Sequence, residues 1–266
     1  MTQEFRARLR RREKLLGTMV TLASAASAEV LASLGFDWLF IDGEHGPLET
    51  RELASILQAV GDKTACIVRV PEAAEVPIKK ALDLGAHGII VPQVNTAEQA
   101  ANVVRWSRYA PEGERGVGLA RAHGYGVKFR EYVSAANREI AVIVQAEHAR
   151  AVENIDAIVR VPGVDAVLLG PYDLSASLGK MGQIDDPAVI TAIGRVTDAC
   201  GAVGSVCNPA TSLFWDGIHP TSAGHAILAQ GMLAVVAVPE PEEYALLVAG
   251  SLLVAWRTSA KRRRRR

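Results

Sequence analysis

The sequence predicts an α/β fold, a (β/α)8 TIM barrel, and three observations carry that expectation. Short β-branched or aromatic runs alternate with Ala- and Leu-rich amphipathic stretches, and such alternation builds a parallel sheet. The runs are apolar almost throughout, as strands are when both faces are covered. The chain of 266 residues is close to the ~250 typical of such barrels. No G-x-G-x-x-G follows any run, so a dinucleotide site has no support.

The first strand is GTMVTL (17–22), before a helix near 25–34. DWLFID (37–42) precedes a helix near 48–60, and ACIVRV (65–70) precedes one near 74–84. HGIIVPQ (87–93) precedes a helix near 96–108, after which a Gly-rich segment, 110–127, breaks the rhythm. EIAVIVQAE (139–147) precedes a helix near 149–159. DAVLLG (165–170) precedes a loop and a helix near 186–200, and AVGSVC (202–207) is the seventh strand. Beyond Cys207 the character changes to a turn-rich stretch, NPATSLFWDGIHPTSAG. The run 233–238 has the length and β content of a buried eighth strand. The chain therefore divides into a barrel segment, 1–207, and an atypical segment, 208–266, that completes the barrel or forms a hydrophobic and basic tail.

Net charge is zero, so the whole-chain balance points to no nucleic-acid partner, although RARLRRREK and KRRRRR make both ends basic. Cys66, Cys200 and Cys207 form no C-x-x-C and read as reduced, buried residues of a cytoplasmic protein. The first 30 residues lack the unbroken apolar core of a secretory signal. YALLVAGSLLVAW (244–256) is shorter than the ~18 residues of a spanning helix. Membrane contact of the tail is the weaker reading.

Barrel enzymes place their chemistry at the C-terminal ends of the strands. The expected strand ends collect Asp42, Glu44 and His45, then Arg69, Gln93, Gln145 and Glu147, then Tyr172 and Asp173. Glu147 and Asp173 are oxygen ligands suited to Mg2+ or Mn2+. Two ligands leave room for a chelating 2-oxo acid, whose enolate a metal stabilises. Arg69 adds positive charge there. His45 is the base by its intrinsic pKa, oriented by Asp42 or Asp83. No lysine ends a strand, so Schiff-base chemistry is disfavoured. Any one of these residues alone reads as a salt bridge or a cap; their convergence at one mouth reads as a site.

GFDWLFIDGEHGPLE, the VRV strand, ALDLGAHGIIVPQV, RYAPEGERGVG, VQAE and GPYDLSASLG resemble the HpcH/HpaI family of class II, metal-dependent 2-oxo acid aldolases, over about residues 16–207. The resemblance implies that His45 is the general base, Arg69 stabilises the enolate and Asp83 supports the base. It implies that Gln145 and Glu147 bind substrate and metal, that Asp173 is the second ligand, and that Tyr172 lends its backbone to the substrate. The metal is then Mg2+ or Mn2+, with Co2+ a further candidate. The substrates are 4-hydroxy-2-oxo acids, split into pyruvate and an aldehyde. The Gly-rich loop, with Arg115, Arg121 and His123, faces the aldehyde half. Members form homo-oligomers, typically hexamers, and the departure after residue 207 falls where their oligomer contacts lie.

FWDGIHPTSAGH resembles the last catalytic block of GDSL-type (SGNH) esterases, and VPEPEEYALLVAGSLLVAW with the basic tail resembles a PEP-CTERM sorting signal. Asp216 and His219 have no positioned serine, so the esterase reading lacks a nucleophile. Two readings stay open: an active aldolase whose tail closes the barrel, and an inactive or membrane-associated chimera whose barrel cannot close.

Overall fold

The structure, a computed structural model, describes residues 4–204. In chain order its elements are α1 (Phe5–Arg10), β1 (Gly17–Val20), α2 (Ala25–Ala32), β2 (Trp38–Asp42), α3 (Thr50–Val60) and β3 (Ala65–Arg69). Next come α4 (Glu75–Asp83), β4 (Gly88–Val91), α5 (Ala97–Ser107), a short 3-10 segment (Arg121–Gly126), α6 (Phe129–Glu139) and β5 (Ala141–Ala146). The last are α7 (Ala149–Glu153), α8 (Ile155–Ile158), β6 (Ala166–Leu169), α9 (Pro171–Ser177) and α10 (Pro187–Val203). The six strands lie side by side in sequence order, β1 to β6, each pair parallel. This is the expected α/β architecture with a parallel sheet, of which six strands lie among the described residues. Residues 205–207 of the expected seventh strand, the 233–238 run, the Asp216–His219 stretch and the tail lie outside the described residues.

Side chains on a strand alternate between its two faces, and here the two faces fill two separate clusters. Leu39, Ile41, Cys66, Val68, Ile89, Val91, Val142 and Val144 pack outward against the helices. Phe40, Ala65, Ile67, Ile90, Ala141, Ile143 and Ala166 form the inner cluster. Following each inner row toward the strand's C-terminal end leads in steps of two to Asp42, Arg69, Gln145, Glu147 and Gly170. The polar residues at the mouth are thus the last members of the inward rows.

The basic N-terminal stretch, for which the sequence offers no element, forms α1 and covers the other end of the inner cluster. Phe5 and Leu9, four apart and so on one helical face, are buried there, with the Phe5 ring 5.9 Å from that of Trp38. Arg6 fixes the helix: its Nε donates to both oxygens of Asp165 at 2.9 and 2.8 Å, and its Nη1 to the carbonyls of Asn137 and Arg138.

The structure corrects four expectations. AVGSVC does not begin a strand, because Ala202 and Val203 are the last residues of α10 and Gly204, at φ 73°, ends that helix in the left-handed conformation. Glu139 belongs to α6, whose Phe129, Tyr132, Val133 and Ala136 recur at helical spacing, with Tyr132 and Val133 packed on the core; this helix lies where the sequence reading placed none. The helix near 149–159 is two pieces parted at Asn154, whose amide nitrogen donates to the carbonyls of Asn95 and Arg150. The loop after β6 contains α9, with Pro171 in its first turn. Among the described residues, no helix is long and apolar enough to cross a membrane.

Candidate active site

Asp42 and Arg69 end neighbouring strands and are partners in register. They form a two-pronged ion pair, Arg69 Nε to Asp42 Oδ1 at 2.9 Å and Nη2 to Oδ2 at 2.7 Å, and both residues are buried. The Asp42 Oδ1 also accepts the backbone N–H groups of Glu44 and His45 at 3.1 and 3.2 Å, an Asx-type turn. Burial alone would raise the Asp42 carboxyl; the Arg69 hydrogen bonds and charge outweigh it and hold the group below its ordinary value.

That turn delivers the next two side chains to the mouth. Glu44 Oε2 lies 3.1 Å from Arg69 Nη1. His45 Nε2 lies 3.7 Å from the same Glu44 oxygen, and its side chain is 66% exposed. Burial raises the Glu44 carboxyl, and Arg69 offsets it only in part.

Across the sheet, Glu147 is held from two sides. Its Oε1 accepts the backbone N–H of Gln93 at 2.8 Å, and its Oε2 accepts from the Gln145 amide nitrogen. Gln93 stands at φ 56°, a strained conformation for a residue with a Cβ. The side-chain oxygen of Gln145 is buried without a partner. Burial pushes the Glu147 carboxyl up to about 7; the Gln93 N–H lowers it, and the charges of Glu44 and Asp173 raise it further. Asp173 and Tyr172 lie in the first turn of α9, directly beyond β6. The Tyr172 carbonyl accepts from Ser175 Oγ at 2.6 Å.

Gly170 makes this packing possible. A Cβ at that position would sit 2.7 Å from Glu147 Cβ, 2.9 Å from Glu147 Oε2 and 3.1 Å from Gln145 Nε2. The expected result for Gly170→Ala is a soluble protein with kcat/KM lowered at least tenfold, since a displacement of ~1 Å at a site costs ~10²-fold. Steady-state kinetics and a thermal melt separate the two effects, and unchanged kinetics would remove Gly170 from the site.

Two of the expected roles are corrected. Asp42 does not orient His45: both of its oxygens are occupied by Arg69 and backbone N–H groups, and the carboxylate beside the imidazole is Glu44. Asp83 does not support His45 within the chain. It ends α4, which leads to the start of β4, so it stands at the opposite end of the sheet from the mouth. There its Oδ1 accepts from Arg115 Nη2 at 2.8 Å, and Arg115 is stacked over the Tyr109 ring at 4.5 Å. Arg121 of the Gly-rich segment caps helices, donating to the carbonyls of Leu84 and Leu57. His123 is buried against Phe129 and Tyr132. Glu44 had a visible signal, its place two residues beyond a strand end; the backbone role of Gln93 had none. Among the described residues, no three His, Cys, Asp or Glu side chains are grouped closely enough to hold an ion between them.

The site therefore consists of Arg69, exposed His45, and the carboxylates Glu44, Glu147 and Asp173 within electrostatic reach of one another. The family described as HpcH/HpaI aldolase/citrate lyase matches residues 16–210. A 4-hydroxy-2-oxovalerate aldolase of Rhodococcus jostii (strain RHA1) is 45% identical over 204 residues, spanning 74% of this chain and 78% of that one. A hydroxypyruvate/pyruvate aldolase of Roseobacter denitrificans is 43% identical over 207 residues, spanning 75% and 80%. A solved structure of an HpcH/HpaI aldolase/citrate lyase family protein from Burkholderia cenocepacia superposes with a TM-score of 0.74 at 41% identity, over 77% of this chain and 83% of that one. With the match running through every strand described and every residue of the mouth, the chain belongs to the HpcH/HpaI aldolase/citrate lyase family and is an aldolase, a carbon–carbon lyase.

Proposed function

We propose that this aldolase is divalent-metal dependent and cleaves 4-hydroxy-2-oxo acids to pyruvate and an aldehyde. The observation that carries the proposal is the approach of Glu44, Glu147 and Asp173: burial, then the neighbouring like charges, raise the Glu44 and Glu147 carboxyls, and a cation would neutralise that charge. The donor set is oxygen only, as Mg2+ or Mn2+ prefers. The buried, unpartnered Gln145 oxygen agrees with a further occupant beside Glu147. Glu147 and Asp173 would hold the ion, which when bound would polarise the 2-oxo group as a Lewis acid.

The chain's own residues supply the rest. Splitting the C3–C4 bond of a 4-hydroxy-2-oxo acid requires a base for the 4-hydroxyl proton and a positive field at the C2 oxygen. His45 is the base: it is exposed at the rim, with the Glu44 carboxylate 3.7 Å from its Nε2. Arg69 faces the inner row and places its guanidinium where the enolate oxygen develops charge. Asp42 keeps that guanidinium fixed before substrate arrives. The imidazolium then returns its proton to C3, releasing pyruvate.

The test is pyruvate release from a 4-hydroxy-2-oxo acid with Mg2+, with and without EDTA. Turnover should stop in EDTA and return with added metal; EDTA-insensitive turnover would sink the metal assignment. His45→Ala should lower kcat by ~10²–10⁴, and His219→Ala should leave it unchanged. The reverse pattern would move the chemistry to the DGIHP stretch.

A further inference from the structure

At the other end of the barrel lies a second polar site that the aldol reaction does not use. Arg108, which follows α5, is among the largest fully buried side chains, at 2% exposure. Its Nη1 and Nη2 have no hydrogen-bond partner. Buried charge is strongly unfavourable unless paired and hydrogen-bonded. The nearest carboxylate oxygen, Asp165 Oδ2, is 3.7 Å from Nη2, too far for a hydrogen bond.

Asp165 has little left to give. Both of its oxygens accept from Arg6 Nε, Oδ2 also accepts the Val142 N–H at 2.9 Å, and Arg10 Nε stands 4.0 Å from Oδ1. One carboxylate is thus shared among three guanidinium groups. Arg6, Arg10, Arg108 and Asp165, with Glu112 and Gly163, line a cavity of about 380 Å3. Its charged lining carries three positive and two negative groups, and both unpartnered nitrogens belong to a positive one. Burial and the neighbouring Arg6 lower Arg108 to about 10, which leaves it a cation at neutral pH.

We propose that this cavity binds a small oxyanion, a phosphate or a carboxylate group, held by Arg108 and Arg10. Guanidinium groups match the planar, two-oxygen edge of such anions, and the volume suits a small metabolite. The site borders the start of β6, whereas the reacting residues stand at the strands' C-terminal ends. Its ligand would join α1, through Arg6 and Arg10, to the end of α5 and the start of β6. Occupancy therefore stabilises the docking of α1 without touching the reaction.

The experiment uses the full chain in EDTA, so that a metal at the mouth retains no anion. Inorganic phosphate and malonate are titrated by calorimetry and thermal melting against sodium chloride of equal ionic strength. A saturable rise in Tm with phosphate alone identifies a phosphate-type ligand; a rise with malonate, alone or as well, identifies a carboxylate-type one. Arg10→Ala should weaken binding about five- to tenfold, the loss of one charge-assisted hydrogen bond, and leave aldol cleavage unchanged. Arg108→Met, similar in length and uncharged, should abolish binding; if it does not fold, Arg10→Ala carries the test. No response beyond chloride, or an equal response in Arg10→Ala, would overturn the proposal.

Discussion

Arg69→Ala should lower kcat/KM by ~10³-fold and destabilise the fold by about 3–5 kcal/mol. The two losses have different origins. The kinetic loss follows from removing the charge that faces the developing enolate. The stability loss follows from Asp42, which is 2% exposed and would keep a buried negative charge with only backbone N–H groups to satisfy it. The double variant Arg69→Ala/Asp42→Asn should recover roughly 2 kcal/mol of stability and none of the activity. Arg69→Lys should recover part of each, since an ammonium keeps the charge and cannot reproduce the two-pronged contact. Denaturant melts paired with steady-state kinetics read both columns. A single alanine variant that melts early yet turns over normally would leave Arg69 a purely structural residue.

Glu147→Gln should abolish the response to Mg2+ and, with it, turnover. The pH dependence supplies the sharper measurement. Burial sets the Glu147 carboxyl at about 7, against an ordinary value of 4.5. A carboxyl raised in the folded state stabilises the fold fully below its unfolded value and loses that contribution as pH rises through the folded one. The metal-free protein should therefore lose about 3 kcal/mol between pH 4.5 and 7 from this group. Mg2+ binds the ionised form, so its stabilisation should be small at pH 5, grow toward pH 7 and level off above it. Glu147→Gln should remove both the metal-free slope and the Mg2+ effect. A Tm increment from Mg2+ that does not vary over pH 5–8 would show that the ion binds elsewhere.

The strand ends were legible in the sequence because they depend on a short-range rule. Parity along a strand needs only the apolar run itself, and Asp42, Arg69 and Glu147 fall on the inward parity of WLFID, ACIVR and AVIVQA. The partners of those residues were not legible. Asp42 reads as a neighbour of His45 because it is three positions away, yet its strongest partner lies 27 positions on, across a strand pairing. Asp83 matched a motif, but the end of the sheet on which it falls follows from α4 leading into β4. Helix α1 hid behind its charge: five arginines among residues 6–12 mask Phe5 and Leu9, and only burial shows which side matters. The run at 202–203 shows the converse. Its Ala and Val suit a strand or a helix, and Gly204 decides in favour of ending a helix.

The Arg6–Asp165 contact joins residues 159 positions apart. During synthesis at ~5–20 residues per second, α1 precedes its own anchor out of the ribosome by roughly 8–30 s. For that interval Phe5 and Leu9 have no inner cluster to enter, because Ile143 and Ala166 have not yet been made. Docking of α1 is then a late event that closes a loop of 159 positions, and its entropic cost falls on a chain whose strands β1 to β5 have already been made. Nascent chains stalled before residue 165 would present α1 as an apolar, basic helix, a form suited to chaperone capture.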